Sequence, residues 1–327
     1  MSLLEIKNLK KHFDVGGKSF FGKKNKVHAV DNVSLVLKKH ETLGIVGESG
    51  CGKSTLGRTI LKLIEPSAGE IHYNGEDITH FPPRQMNPLR KKMQMIFQDP
   101  YASLNPRMSV NRIINEPLAV HNLSNSKTER DQRVDELLEM VGLPRTAKKK
   151  YPAEFSGGQR QRIMIARILA TEPELVIADE AVSALDVSIQ SQILNLISEL
   201  REMLGTSYIF ISHDLGVVKF ISDRIAVMYL GTIVESAPSD VLYRNPLHPY
   251  SKSLLSSIPG VKRKRARKRY LLKGDVPSLV SIPEGCRFHT RCPEASEICR
   301  RFEPESVFVE RDHSVMCHLY SNSGDQP

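Results

Sequence analysis

The residues best suited to chemistry stand in one glycine-rich run, GESGCGKST. The run fits the phosphate-binding pattern G-x-x-x-x-G-K-[ST], in which glycines let backbone N–H groups approach phosphate oxygens. In this pattern Lys53 reaches the β- and γ-phosphates of a nucleotide and the Ser54 hydroxyl holds Mg²⁺. We therefore assign the whole run to nucleotide binding: Gly47, Glu48, Ser49, Gly50, Cys51, Gly52, Lys53, Ser54 and Thr55.

A second glycine turn lies further along the chain, in Phe155-Ser156-Gly157-Gly158-Gln159. It is expected to open a helix, so its backbone N–H groups and its serine are placed to bind phosphate. One chain would then carry two phosphate-binding surfaces.

Two strand-like runs end in polar residues. Leu175 to Ala178 is apolar and leads into Asp179 and Glu180. In phosphate-loop proteins an Asp at such a strand end holds the Mg²⁺ shell, and Glu180 is placed to polarise an attacking water. A helix-capping acidic pair is the alternative. Tyr208 to Ser212 is a similar run followed by His213, where parallel sheets place ligands.

These residues need strands and helices that hold them in place. Thr42–Val46 is predicted to be a buried strand before the phosphate loop, and Leu56–Ile64 the helix after it. Helical periodicity over Val110–Leu118 and Arg130–Val141 predicts a helical subdomain between the two glycine runs.

The order of the motifs resembles that of the ATP-binding cassette (ABC) family, the ATPases of ABC transporters. The glycine runs, the acidic strand and His213 are joined by Phe97-Gln98-Asp99-Pro100 and Ser183-Ala184-Leu185-Asp186. The resemblance implies an α/β phosphate-loop cassette with a RecA-like core, an antiparallel β region and a helical subdomain.

The resemblance also implies roles. Two cassettes face each other, and each ATP is held by one phosphate loop and by the partner's signature turn: Ser156, Gly157, Gly158, Gln159, with Asp186 bridging the dimer. Gln98 joins Ser54 and Asp179 around Mg²⁺, Glu180 is the general base and His213 contacts the γ-phosphate. Phe13 is our choice for stacking on adenine, with Phe20, Phe21 and His28 as alternatives.

The sequence around Asn245-Pro246-Leu247-His248-Pro249-Tyr250 resembles the oligopeptide, dipeptide and nickel importer branch, and the N-terminal part resembles its F-type ATPase. This implies a paralogous ATPase, two membrane permeases and an extracytoplasmic binding protein as partners, with peptide as cargo. A nickel or other small-solute importer is the alternative. A soluble cassette ATPase with a regulatory or nucleic-acid role is the alternative from another class.

No apolar run reaches the roughly 18 residues that a membrane-spanning helix needs. Residues 1–5 lack a signal-peptide pattern. We therefore expect a peripheral protein at the cytoplasmic face of the inner membrane.

Four cysteines cluster near the C-terminus: Cys286, Cys292, Cys299 and Cys317. In a cytosolic chain such a group favours a metal site over disulfides. Four thiolates suit Zn²⁺ or an iron–sulfur cluster, and uncoordinated thiols remain a third interpretation. The family resemblance implies a 4Fe-4S cluster, whereas a zinc site could also use His289, His313 or His318.

The predicted domain order is a nucleotide-binding domain over 1–255, with its helical subdomain at about 99–165, then a basic linker over 256–275 and a metal-binding extension over 276–320. Residues 262–269 carry seven of the net nine positive charges. A solvated linker, contact with anionic lipid and contact with nucleic acid are the three interpretations. Since no aromatic side chains that could contact bases accompany this basic run, we expect no specific nucleic-acid partner.

Overall fold

The computed structural model describes residues 2–15, 25–99, 103–124, 126–256, 274 and 276–321. The basic run at 262–269 and the candidate aromatics Phe20 and Phe21 lie outside these residues. The chain divides into two compact units. The phosphate-loop unit comprises residues 1–37, 42–79 and 212–327, and the helical unit comprises residues 38–41 and 80–211.

An antiparallel sheet in the phosphate-loop unit contains the N-terminal strands. The side chains of Leu4, Ile6 and Leu9 are buried, whereas charged residues between them face outward. Burial of alternate side chains is typical of an antiparallel sheet that packs one face against the core and exposes the other to solvent. Across the sheet the strands lie in the order β2 (Asn25–Lys38), β1 (Ser2–Val15), β4 (Ala68–Tyr73) and β5 (Glu76–Asp77).

A second set of strands in the same unit starts at the predicted strand β3 (Thr42–Val46), which is wholly buried. It runs parallel to β9 (Arg224–Tyr229), which pairs antiparallel with β10 (Thr232–Pro238). The extension then adds β12 (His313–Met316) beside β10, and β11 (Ser306–Glu310) beside β12. The C-terminal extension therefore continues a core sheet through backbone hydrogen bonds.

Helix α1 (Lys53–Ile60) follows β3 in the phosphate-loop unit. Helix α1 begins at Lys53, earlier than predicted, because Gly52 adopts a left-handed conformation (φ 108°) that turns the loop into the helix. The helices are α1 (Lys53–Ile60), α7 (Leu215–Ile221), α8 (Ser239–Arg244), α9 (Pro249–Ser256) and α10 (Glu297–Arg301).

In the helical unit, parallel strands carry the acidic motif. The strands β6 (Met93–Ile96), β7 (Leu175–Asp179) and β8 (Ser207–Ser212) pair in that order, and the predicted strands at 175 and 208 are confirmed. The helices are α2 (Pro83–Arg90), α3 (Val110–Val120), α4 (Lys127–Met140), α5 (Gly157–Leu169) and α6 (Val187–Leu204), with 3₁₀ turns at Arg145–Lys149 and Pro152–Glu154.

Both predicted helices of this unit are confirmed, with starts fixed by serine caps. The Ser109 hydroxyl accepts a hydrogen bond from the Arg112 backbone N–H, and Ser126 does the same for Glu129. Because Ser126 caps α4, the helix begins three residues before the predicted Arg130. Among the described residues, no helix is both long and apolar enough to cross a membrane.

Candidate nucleotide site and cysteine module

The phosphate loop connects β3 to α1 and is tightly packed at its last glycine. A Cβ on Gly52 would lie 1.9 Å from the Ala29 carbonyl oxygen, and its φ of 108° disfavours any side chain. The predicted members Gly47, Glu48, Ser49, Gly50, Cys51 and Gly52 form the loop, and Lys53, Ser54 and Thr55 form the first turn of α1. The local fold is therefore the strand–loop–helix that phosphate binding requires.

Lys53 is only 5% exposed, yet its ammonium is held at the loop. Its Nζ donates to the carbonyl oxygens of Gly47 at 2.8 Å and Glu48 at 3.0 Å. A buried ammonium held by two neutral carbonyls can exchange them for phosphate oxygens, which bind it more strongly because they are charged. Cys51 beside it is buried, and burial raises the pKa of its thiol.

The acidic motif of the helical unit is joined to the predicted glutamine. Asp179 ends β7 and is 1% exposed, and Glu180 follows it in a left-handed conformation (φ 49°). The Gln98 amide donates to the Glu180 carboxylate at 2.7 Å. The structure thus brings together two of the predicted catalytic residues from positions far apart in the sequence.

The signature turn caps α5. The Ser156 hydroxyl accepts from the Gln159 backbone N–H, and the Gln159 side chain accepts from the Ser156 N–H. A Cβ on Gly158 would lie 2.4 Å from the Ile189 side chain, so a glycine is needed for close packing. Gly157 opens the same helix, and Asp186 is exposed at the start of α6.

The remaining nucleotide candidates lie in the phosphate-loop unit. His213 is exposed directly after β8. The Phe13 ring is 37% exposed, with the Lys11 ammonium 4.9 Å from its centroid. The ring of the alternative residue His28 lies beside that of His12, with centroids 4.1 Å apart and planes tilted by 45°.

The four C-terminal cysteines line one cavity, and no disulfide joins them. Backbone N–H groups donate to three of the sulfurs: Phe288 to Cys286, Glu294 to Cys292 and Leu319 to Cys317. The Ser296 hydroxyl lies 3.3 Å from the fourth sulfur, that of Cys299. Hydrogen bonds of this kind stabilise thiolates at metal sites.

Without a bound cation, burial disfavours the charged thiolate form of these cysteines. It raises the pKa of Cys286 to about 12 and that of Cys317 to about 11, and it also raises the pKa of Cys292. A metal would therefore have to displace protons, as thiolate ligation normally does. The donor set, its enclosure and its N–H···S bonds fit a metal centre.

The comparisons with known proteins agree with the motif order. A model of the ABC transporter family matches residues 30–183, and a model of the oligopeptide/dipeptide transporter C-terminal region matches residues 234–299. The oligopeptide transport ATP-binding protein AppF of Bacillus subtilis (strain 168) is 53% identical over 98% of each chain. The putative peptide import ATP-binding protein BAB2_1053 of Brucella abortus (strain 2308) is 49% identical over 98% of this chain and 94% of its own length.

This chain belongs to the ABC transporter ATPase family. The structure of the cassette MJ0796, a dimer bound to ADP and phosphate after hydrolysis, matches with a TM-score of 0.64 at 29% identity. It covers 72% of this chain and 98% of MJ0796. The predicted cassette fold is thereby confirmed.

The prediction that His313 could serve as a metal ligand is wrong. His313 is buried, but its Nε2 lies 2.9 Å from the Glu235 carboxylate, and the residue does not line the cysteine cavity. The strand β12 directs it toward β10 instead. His289 and His318 do line the cavity, and each uses one ring nitrogen on a backbone carbonyl, that of Cys286 and that of Phe302.

Sequence reasoning missed the residues that attach the extension to the cassette. Arg291 forms a bidentate ion pair with Glu48, and Arg287 binds Asp31 and the Leu230 carbonyl oxygen. Residues this far apart in the sequence form no periodic pattern from which their contact could be predicted. The only local hint is that both arginines lie between the first two cysteines of the group.

Proposed function

We propose that this ABC ATPase hydrolyses ATP to drive peptide import through a membrane complex. The observation that carries the proposal is the peptide-transporter C-terminal region at residues 234–299, attached to a complete set of cassette motifs. Relatives named for oligopeptide transport match over 98% of this chain, which supports the same cargo class here.

In this proposal the phosphates of ATP lie on the loop N–H groups and on Lys53. Ser54, Gln98 and Asp179 would supply the oxygen ligands of Mg²⁺, the type of ligand this ion prefers. Glu180 would orient and deprotonate the attacking water, and His213 would contact the γ-phosphate. Phe13 would stack on adenine.

The signature turn would serve a second nucleotide. Ser156, Gly157 and Gly158 stand at the N-terminus of α5, where backbone N–H groups and the helix dipole favour an anion. We infer that this end completes the ATP site of a paralogous ATPase, with Gln159 and Asp186 at the same interface. ATP would then favour the closed dimer through its higher affinity for that state.

The partners follow from this role. As an ABC transporter ATPase, the chain works with membrane-spanning permeases. The finer proposal is one paralogous ATPase, two permeases and an extracytoplasmic peptide-binding protein, with this chain bound peripherally at the cytoplasmic face of the membrane. A nickel importer differs in the binding protein and leaves the cassette chemistry unchanged.

The decisive experiment is reconstitution. The chain is co-expressed with the permeases and ATPase encoded beside its gene, purified as a complex and placed in liposomes with the binding protein. We expect peptide-stimulated ATP hydrolysis and peptide uptake, both lost in a complex carrying Glu180→Gln. Stimulation by nickel instead of peptide would overturn the proposal that the cargo is peptide. A soluble, DNA-stimulated ATPase activity would overturn the transporter role.

We further propose that Cys286, Cys292, Cys299 and Cys317 hold a 4Fe-4S cluster with a structural role. Four thiols that line one enclosed cavity, three of them accepting backbone N–H hydrogen bonds, are the ligand set that such a cluster uses.

Anaerobic purification tests the cluster. We expect a brown protein that absorbs near 400 nm and contains about four irons per chain. A colourless chain with one zinc would refute the cluster and retain the metal site, whereas a metal-free, folded chain would refute both.

A further inference from the structure

The segment between the first two cysteines contacts the phosphate loop. Arg291 donates from Nη1 to Oε2 of Glu48 at 2.7 Å and from Nη2 to Oε1 at 3.0 Å. The Arg291 side chain is 5% exposed and that of Glu48 is 23% exposed. Two parallel, charge-assisted hydrogen bonds in a mostly dry environment define the position of both side chains.

Glu48 is held at three points. Its carboxylate binds Arg291, its backbone N–H donates to the Tyr250 hydroxyl at 2.9 Å, and its carbonyl oxygen accepts from Lys53 at 3.0 Å. Glu48 therefore contacts both Arg291 and Lys53, the lysine that we assign to the phosphates of ATP.

Arg287 makes a second attachment to the same region. It donates to the Leu230 carbonyl oxygen at 2.6 Å and to Asp31 at 2.7 Å. The next residue, Gly231, donates its N–H to the Cys51 carbonyl oxygen of the phosphate loop at 2.9 Å. The two arginines therefore contact the loop directly and through the turn behind it.

Between the arginines, Phe288 fixes the segment in the core. It is 1% exposed, and its ring centroid lies 5.3 Å from Tyr229 and 5.4 Å from Tyr250. Cys286 and Cys292 then anchor the two ends at the cysteine cavity. A metal centre that joins these cysteines would close the segment and restrict the positions of both arginines.

We propose that Arg291 is a positioning residue for the phosphate loop, and that closure of the four-cysteine site sets the affinity of the loop for ATP by holding Arg291 on Glu48. The inference rests on the proposed function in that it takes the loop to bind ATP and the cysteines to bind a metal centre. It adds that the extension regulates the nucleotide site. Loss of the metal centre would release Arg291, leave the Glu48 carboxylate unneutralised beside the phosphates and weaken ATP binding.

The first test is ATP affinity in the full-length chain, measured with a fluorescent ATP analogue. We expect Arg291→Ala to weaken binding about tenfold, the effect of losing a charge-assisted hydrogen bond. Arg291→Lys should recover part of the loss, because it keeps the charge without the bidentate geometry. Arg311→Ala, which removes an exposed arginine of the same extension, is the control and should bind as the wild type does.

A double-mutant cycle separates positioning from general damage. If Arg291 acts through Glu48, Arg291→Ala should have almost no further effect in a Glu48→Ala background. Additive losses would overturn the proposal. The turnover number at saturating ATP should stay within about twofold of the wild type in Arg291→Ala, since the variant leaves Gln98 and Glu180 intact.

The test of the metal centre uses the same ATP-binding assay. Removing the metal centre with an oxidant and a chelator should weaken ATP binding in the wild type to the level of Arg291→Ala, and should not weaken Arg291→Ala further. Unchanged affinity in a chain that has demonstrably lost its metal would overturn the coupling. If metal removal unfolds the chain by circular dichroism, the same comparison is made with Cys299→Ser, which removes one of the proposed ligands, and an ATP affinity in a folded Cys299→Ser chain equal to that of the wild type would overturn the coupling.

These results distinguish the two proposals. A chain without ATP binding would refute the proposed function, and a folded chain without metal would refute the proposed metal centre. A chain that binds ATP and metal normally but is insensitive to Arg291→Ala would refute only the positioning role.

Discussion

The side-chain amide of Gln98 donates a 2.7 Å hydrogen bond to the Glu180 carboxylate. The two residues follow neighbouring parallel strands, which are in register at Ile96 and Ala178. Because parallel strands end at the same edge of a sheet, a glutamine and a glutamate 82 residues apart meet there. An amide donates through its nitrogen and accepts through its oxygen. In the proposed mechanism Gln98 would keep its bond to Glu180 while its oxygen binds Mg²⁺, and it would so connect the metal to the base.

The first prediction concerns that base. Glu180→Gln should keep ATP binding and lower the rate of hydrolysis by about 10²- to 10⁴-fold, because an amide cannot accept the proton of the attacking water. ATP binding and steady-state hydrolysis by the purified complex are the measurements. Glu199→Gln, at an exposed glutamate on α6, is the matched control. Near-normal hydrolysis by Glu180→Gln would remove Glu180 from the mechanism.

The second prediction separates the structural role of Ser156 from its proposed role at a phosphate. Ser156→Asp should preserve the helix cap and the melting temperature of the chain, since Asp is a good N-cap residue. It should abolish ATPase activity of the assembled transporter, because its charge repels the partner's nucleotide. Ser156→Asn is the control, since it keeps the cap without charge. Normal activity in the Asp variant would argue against a phosphate at this turn.

The motifs of the cassette and its family were predictable because their signals are local. The phosphate loop, the acidic strand end and the Ser156 turn each lie within a few consecutive residues. The cap at Ser126 was also readable, although periodicity placed the start of α4 at Arg130. The attachment of the extension was not predictable. It depends on ion pairs such as Arg291 with Glu48, 243 residues apart, which only the folded chain brings together.

The third prediction concerns removal of the metal that the four cysteines are proposed to bind. Without such a metal, the segments around the cysteine cavity would be held only by non-covalent contacts, such as Phe288 in the core and the Arg291–Glu48 ion pair. We expect faster hydrogen exchange over 276–320 and unchanged exchange in the buried strand β3. Cys299→Ser should lower the metal content, whereas Cys51→Ala should leave it at the wild-type level. Equal metal loss in both variants would contradict the assignment of the ligands.

The fourth prediction is a pH dependence of stability. Burial alone favours the neutral acid, but the hydrogen bond and charge of Arg287 hold the pKa of Asp31 below its usual value of 3.8. Because the folded-state pKa is the lower one, Asp31 stabilises the fold at neutral pH, and this contribution disappears as the pH falls through the folded-state pKa.

Asp31→Asn should therefore cost about 1 to 3 kcal/mol in the free energy of unfolding at pH 7. The difference from the wild type should shrink as the pH falls below 3.8. Urea denaturation at a series of pH values gives both curves. A constant difference across the series would show that Asp31 contributes through packing and not through its charge.

The fifth prediction concerns Phe288, the apolar attachment of the extension. Its ring meets Tyr229 edge to face and also contacts Tyr250 and His248, and it is 1% exposed. Phe288→Ala should cost about 3 to 5 kcal/mol, because the vacated volume cannot be filled by rigid aromatic neighbours. Phe308→Ala is the control, since that ring is 78% exposed and should contribute less than about 0.5 kcal/mol. Thermal and urea unfolding of the metal-loaded chain measure both. A loss at Phe288 no larger than at Phe308 would mean that the arginine ion pairs and the strand pairing alone hold the extension on the cassette.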